Sequence, residues 1–74
     1  MIYIIRFSLP GGAKLYADWD EKKLAWLFVS KEISARHFRS KRVAERVARN
    51  VPSFKRMLAE GCTWAMVERT PETV

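Results

Sequence analysis

Apolar side chains occupy every second position in two runs near the start of the chain. In the first run, Ile2–Leu9, the odd positions Tyr3, Ile5, Phe7 and Leu9 form one apolar face, while Arg6 and Ser8 fall on the other. A period of two is typical of a strand that packs one face on a core. Pro10–Gly12 interrupts the run with residue types that favour a tight turn, and the alternation resumes over Ala13–Trp19. The pattern therefore predicts an antiparallel β-hairpin.

A third strand is predicted over Leu24–Ser30, where the side chains are apolar from Leu24 to Val29. Such a run indicates that both faces of this strand are covered, or that one face is partly exposed for a partner. The next segment, Lys31–Arg39, has no clean period. It predicts a loop with one helical turn, anchored by three apolar residues: Ile33, Ala35 and Phe38.

A helix is predicted from Lys41, after Ser40, whose hydroxyl is suited to capping it. Apolar residues then recur at helical spacing and form a stripe of the width that packs on a sheet: Val43, Ala44, Val47, Ala48 and Val51. Pro52 disfavours helical geometry at Val51 and so kinks or ends the helix there. Gly61 is expected to supply the left-handed residue that ends the helical region.

The last strand is predicted over Cys62–Arg69, and Thr70–Val74 is expected to be a short, frayed tail. The resulting order, β-β-β-α-β, predicts an α+β fold in which a kinked helix covers one face of an antiparallel sheet. We expect one domain over residues 1–74, with strand order 3-2-1-4. After a right-handed crossover, the fourth strand is expected to run parallel to an edge strand of the first three.

The length and composition exclude several classes of function. A domain of 74 residues offers no cleft between domains, so its function is expected to lie on a surface. The single cysteine, Cys62, cannot form an internal disulfide, and no Cys/His cluster predicts a zinc site or another cofactor. The longest apolar run is far shorter than the roughly 20 residues that span a bilayer. With no signal-peptide pattern at the N-terminus, we expect a cytoplasmic protein without membrane contact.

Positive charge is concentrated in the helical region. The chain has 14 basic and 8 acidic residues, a net charge of +6, and the segment Lys31–Arg56 alone carries nine basic and two acidic residues. On a helical wheel Arg42, Arg46 and Arg49 fall within about 60° of each other, opposite the apolar stripe. The candidate binding residues in this region are Arg36, Arg39, Lys41, Arg42, Arg46, Arg49, Lys55 and Arg56.

This basic surface has two interpretations. It is either a solvated helix face, in which Glu45 and Arg49 pair at i, i+4, or a binding surface for an anionic partner. Nucleic acid and an acidic or nucleoprotein complex are the partners with that chemistry. Tyr16 is a further candidate, because it lies on the sheet face away from the predicted core and an exposed aromatic ring can stack on bases or anchor a protein interface. A bare second face and an open sheet edge also make a homodimer possible.

The sequence contains no catalytic signature. His37 is the only histidine, and its neighbours in the sequence are Arg36, Phe38 and Arg39 rather than a nucleophile or an acid. The acidic residues near the second turn lie beside two lysines and predict a solvated turn rather than a metal site. We therefore expect no catalytic residue, no metal and no enzymatic activity.

The segment Ala35–Ala44 reads Ala-x-x-Phe-x-Ser-x-x-x-Ala and leads from an aromatic-rich strand into the helix, and Met66-Val67-Glu68 forms the closing strand. This arrangement resembles many short proteins encoded by phages and mobile elements, and several anti-CRISPR proteins are similar in size and build. The resemblance covers most of the chain and rests on packing residues, although Pro52 and the long Asn50–Gly61 segment depart from it. It implies a phage-like origin and an α+β fold, but no chemistry.

These observations predict a non-enzymatic interaction protein that uses a basic helical face. Its partner is a nucleic-acid-handling complex, as for an anti-CRISPR-like inhibitor of host defence, or nucleic acid itself. Two alternatives remain open. One is a small basic ribonuclease toxin of a toxin–antitoxin pair, and the other is a structural accessory that associates with its own copies.

Overall fold

The computed structural model describes residues 1–70 and contains one antiparallel sheet of four strands, two α-helices and one short 3₁₀ helix. The strands are β1 (Ile2–Ser8), β2 (Lys14–Asp20), β3 (Ala25–Val29) and β4 (Thr63–Arg69). The 3₁₀ helix spans Glu32–Ser34, and the α-helices are α1 (Lys41–Asn50) and α2 (Pro52–Ala59). The predicted α+β fold is confirmed. The predicted tail, beyond Thr70, lies outside the described residues.

The strand order is β3-β2-β1-β4, as predicted, but the direction expected for the last strand was wrong. β4 runs antiparallel to β1, with Ile2 opposite Arg69 and Ser8 opposite Thr63. The reason lies in the segment between β3 and α1. This segment runs back along the sheet until Phe38 pairs with Tyr3 near the start of β1. The helices therefore begin at the Tyr3 end of the sheet and return the chain to the opposite end. β4 starts there and runs antiparallel to β1.

β1 and β2 separate toward the start of β1, and residues 36–38 occupy the gap between them. We call this gap the fork. Direct pairing of the two strands stops at Arg6 and Tyr16. Beyond that point Phe38 exchanges two backbone hydrogen bonds with Tyr3 of β1, at 2.8 and 2.9 Å. The N–H of Arg36 donates to the carbonyl of Ala17 in β2, at 2.9 Å. The chain thus passes between two strands of the sheet.

This passage separates two clusters of buried side chains on opposite faces of the sheet. The main core lies under the helices: Ile5, Phe7, Ala17, Phe38, Ala44, Ala48 and Phe54. The second cluster consists of Ile4, Ala35 and Val67, with Ile2 and Tyr16 packed against it. The second face is therefore partly covered rather than bare. Ile33 does not anchor the segment as predicted, because 86% of its surface is exposed.

The helical region follows the predicted caps and break. The Oγ atom of Ser40 accepts a hydrogen bond from the N–H of Val43 at 3.3 Å, as an N-cap does. Val51 is extended (φ −72°, ψ 124°), so the region is two helices joined at Pro52. Gly61 ends the second helix with a φ of +97°, a conformation that costs glycine little.

The buried stripe of α1 is narrower than predicted. Ala44 and Ala48 are fully buried against the sheet, whereas Val47 is half-buried and Val43 is exposed. Small alanine side chains allow the helix to approach the sheet closely, and this places the larger valines at the edges of the contact. The opposite side of the helix, which carries Arg42, Arg46 and Arg49, faces solvent.

Candidate functional site

All eight basic residues that the sequence singles out are exposed. We call this set the basic surface: Arg36, Arg39, Lys41, Arg42, Arg46, Arg49, Lys55 and Arg56. The structure brings Arg36 and Arg39 together at the start of α1, where both line one depression. Helical spacing aligns Arg42, Arg46 and Arg49 along the outer side of α1. Lys55 and Arg56 lie on α2.

The basic surface is not neutralised by neighbouring carboxylates. Within residues 1–70 the only ion pair shorter than 4.0 Å joins Arg69 to Glu32, at 3.0 Å, on the other face of the sheet. The pair between Glu45 and Arg49 that belongs to the interpretation as a solvated face is not formed within these residues. These guanidinium groups therefore keep their charge available for an external anion.

The start of α1 carries charge of the unfavourable sign. The amino end of a helix is its positive end, where acidic residues stabilise and basic residues destabilise by about 0.3–1 kcal/mol each. The first turn of α1 contains no acidic residue and begins with Lys41 and Arg42. Together with Arg39, just before Ser40, these residues concentrate positive potential at one end of the molecule. An anion bound there would offset the unfavourable interaction of these cations with each other and with the positive end of the helix.

An aromatic depression lies beside the basic surface and was not predicted from the sequence. It is open, has a volume of about 320 Å³, and is lined by Trp19, Trp26, Phe38 and Arg36. Trp19 of β2 lies directly opposite Trp26 of β3, with ring centroids 5.3 Å apart. Phe38 comes from the segment inside the fork and stacks on Trp26 at 6.1 Å and 20°. Three elements thus supply the aromatic walls, and Arg36 supplies the charge.

The sequence held a signal for this depression. Trp19 ends the second alternating run and Trp26 lies in the third predicted strand, and only the charged turn 20–23 and Leu24–Ala25 separate them. A hairpin at that turn would place them opposite each other. The signal was missed because two tryptophans in neighbouring strands are normally assigned to the core, and here only Trp26 packs on it.

A second depression of about 400 Å³ adjoins the first and shares Arg36 and Phe38 with it. Its other walls are His37, Arg39, Ser40 and Val43. His37 is exposed, and no carboxylate, cysteine or second histidine lines this depression. Across residues 1–70, no group of three or more His, Cys, Asp or Glu side chains is placed to hold a metal ion. Cation-lined and partly apolar, the second depression is suited to holding a phosphate or a carboxylate.

Tyr16 lies apart from both depressions. It projects from the opposite face of the sheet, where it is half-buried and packs against Ile4, Ala35 and Val67. Its ring is therefore less open to a partner than the sequence suggested, because the 3₁₀ segment covers part of this face. Its role as a binding residue stays a prediction.

The chain matches no protein-family model, and no curated protein or solved structure is significantly similar to it. The resemblance to small phage-encoded proteins stays a prediction. In the described part of the chain, neither helix is long and apolar enough to cross a membrane.

Proposed function

We propose that this protein binds nucleic acid through the basic surface. The observation that carries the proposal is the exposure of eight basic side chains, none of which has a carboxylate within 4.0 Å among residues 1–70. Such a surface binds phosphates and releases their counterions, which supplies affinity without a sequence motif. Six of the eight are arginines, whose planar guanidinium groups can bind phosphate in a bidentate manner.

Charge placement supports a binding role over a role in solubility alone. Lys41 and Arg42 lie at the positive end of α1, where cations lower helix stability. If these cations served only solubility, they would serve it equally well at positions away from the start of α1. Arg36 and Arg39 add to the same end, beside two depressions that can receive a ligand.

The test compares two charge reversals of equal size. In Arg42→Glu/Arg46→Glu, two exposed arginines on the outer side of α1 are reversed. The matched control is Lys14→Glu/Lys31→Glu, which reverses two exposed lysines outside the basic surface. Each variant lowers the net charge from +6 to +2, so a difference between them reports position rather than total charge.

Binding is measured by fluorescence anisotropy of labelled single-stranded and duplex oligonucleotides over a series of salt concentrations. The arginine variant should bind more weakly, and its log–log salt slope should fall in magnitude by roughly 0.7–0.9 for each lost phosphate contact. The lysine variant should keep the slope of the unmodified protein. Both should melt within a few degrees of it, because exposed charges contribute little to stability.

Two outcomes would contradict the proposal. Equal losses in the two variants would show that total charge, not the basic surface, governs binding. Absence of salt-dependent binding to every oligonucleotide would exclude a nucleic-acid ligand. A tagged protein that then retained a protein complex from nuclease-treated bacterial lysate would favour the inhibitor hypothesis.

A further inference from the structure

The position of Trp19 is unusual for so large an apolar side chain. Among the half-buried aromatic residues in positions 1–70, four pack against the main core and Tyr16 packs against the second cluster, whereas Trp19 belongs to neither. Its aromatic neighbour is Trp26, in an edge-to-face arrangement with an interplanar angle of 64°. Trp19 is thus half-buried at the rim of the depression, and part of its indole lines the open side.

The other aromatic walls of the depression are packed more extensively. Trp26 packs against Phe54, with ring centroids 5.4 Å apart, and stacks with Phe38 at 6.1 Å. Phe38 is itself held by two backbone hydrogen bonds to Tyr3. A planar ligand that entered beside Trp19 would therefore meet preformed aromatic walls, so few side chains would lose rotamer freedom on binding.

Arg36 joins this aromatic depression to the cation-lined one. Its side chain lines both, while the hydrogen bond from its N–H to Ala17 fixes its backbone in the fork. The two depressions thus offer, side by side, aromatic faces for a planar uncharged group and guanidinium groups for an anion. A nucleotide unit combines these two chemistries in that way, with a base and a phosphate.

We propose that the aromatic depression binds an unpaired base, so that the ligand of this protein is single-stranded nucleic acid. This inference rests on the proposed function and specifies its ligand. Base–aromatic stacking requires an exposed base face, which a duplex hides within its own stack. The adjacent strand backbone then lies across Arg36 and Arg39. An acidic peptide would use the arginines, but its carboxylates would gain nothing from the indole faces.

The first experiment removes the bases and keeps the phosphates. The unmodified protein is titrated with a thymidine oligonucleotide of about 12 residues and with an abasic strand of equal length and charge. Stacking of a base is worth enough to make the thymidine strand bind about fivefold or more tightly. Its binding should also quench tryptophan fluorescence more than binding of the abasic strand does.

The second experiment removes the rim of the depression. Trp19→Ala should reduce affinity for the thymidine strand to that for the abasic strand and leave abasic and duplex binding unchanged. Trp19→Phe should restore most of the difference, because a phenyl ring also stacks. Ile33→Ala, which shortens an exposed apolar side chain that lines neither depression, is the control and should keep the full difference. Circular dichroism establishes that each variant is folded.

The outcomes separate this inference from the proposed function. Equal, salt-dependent binding of thymidine and abasic strands by the unmodified protein would overturn the base site and leave the basic surface in place. This comparison needs no variant, so it stands even if Trp19→Ala does not fold. A thymidine preference that survives in a folded Trp19→Ala protein would also overturn it. Failure to bind any strand would overturn both proposals.

Discussion

Arg36 differs from the other residues of the basic surface in how it is held. The arginines of α1 lie on an exposed helix face, where long side chains sample many rotamers. Arg36 instead belongs to the segment inside the fork, and its N–H donates to Ala17 at 2.9 Å. Because its side chain lines both depressions, this guanidinium lies between the proposed base site and the cation-lined depression and is suited to setting the register of a bound strand.

A substitution of His37 tests whether the protein is an enzyme. His37→Ala should leave nucleic-acid binding nearly unchanged, because the positive charge of Arg36 and Arg39 in the same depression remains. It should also leave the integrity of bound RNA unchanged over hours, as judged by gel electrophoresis. If the unmodified protein cleaves RNA and a folded His37→Ala variant does not, the ribonuclease hypothesis replaces the binding proposal.

The residues of the basic surface were predictable and those of the aromatic depression were not. Exposure of Arg42 and Arg46 follows from helical period alone, because a helix that packs by one side must show the other to solvent. The roles of Trp19 and Trp26 depend on where α1 and α2 end over the sheet. That boundary is a tertiary property, and the strand pattern is the same for a covered tryptophan and an open one.

At the scale of the element, α1 packs on the sheet through alanines. Ala44 and Ala48 are fully buried, whereas Val47 is half-buried. The sequence predicted the side of α1 that packs, because valines and alanines share it. It did not predict the centre of that side, since a broad apolar stripe can turn by tens of degrees on the sheet without burying a charge. The alanines occupy the centre of the contact because their small side chains let α1 approach the sheet closely.

This geometry predicts a difference between two neighbouring substitutions. Ala48→Asp places an unpaired charge in the main core, at a cost of several kcal/mol. A domain of this size has about 5–10 kcal/mol of stability, so the variant should be largely unfolded. Val47→Asp can turn its carboxylate to solvent and should remain folded with a lower melting temperature. Thermal melts followed by circular dichroism compare the two. A cooperative melt of Ala48→Asp at an unchanged temperature would show that α1 does not pack by this residue.

At the scale of the whole molecule, residues 35–38 pass through the fork and link the buried clusters on the two faces of the sheet. Ala35 is buried with Ile4 and Val67 on one face, and Phe38 is buried with the main core on the other. The sequence predicted that both residues anchor the segment, yet not that they do so on opposite faces. The segment lacks the alternation that marks a strand, and its hydrogen bonds join residues far apart in the chain.

The passage predicts how the backbone exchanges hydrogen with solvent. The N–H groups of Arg36 and Phe38 donate to β2 and β1, both at 2.9 Å, inside the sheet. They cannot open unless the fork opens, so their opening free energy should equal that of global unfolding. The N–H of Ser34, which donates to the carbonyl of Lys31 at 3.1 Å in the exposed 3₁₀ helix, is the control. It should exchange by local opening, at least about 100-fold faster. Native-state exchange followed by NMR measures all three. Exchange of Arg36 and Phe38 at the rate of Ser34 would mean that the segment lies on the sheet surface, and the two faces would then unfold independently.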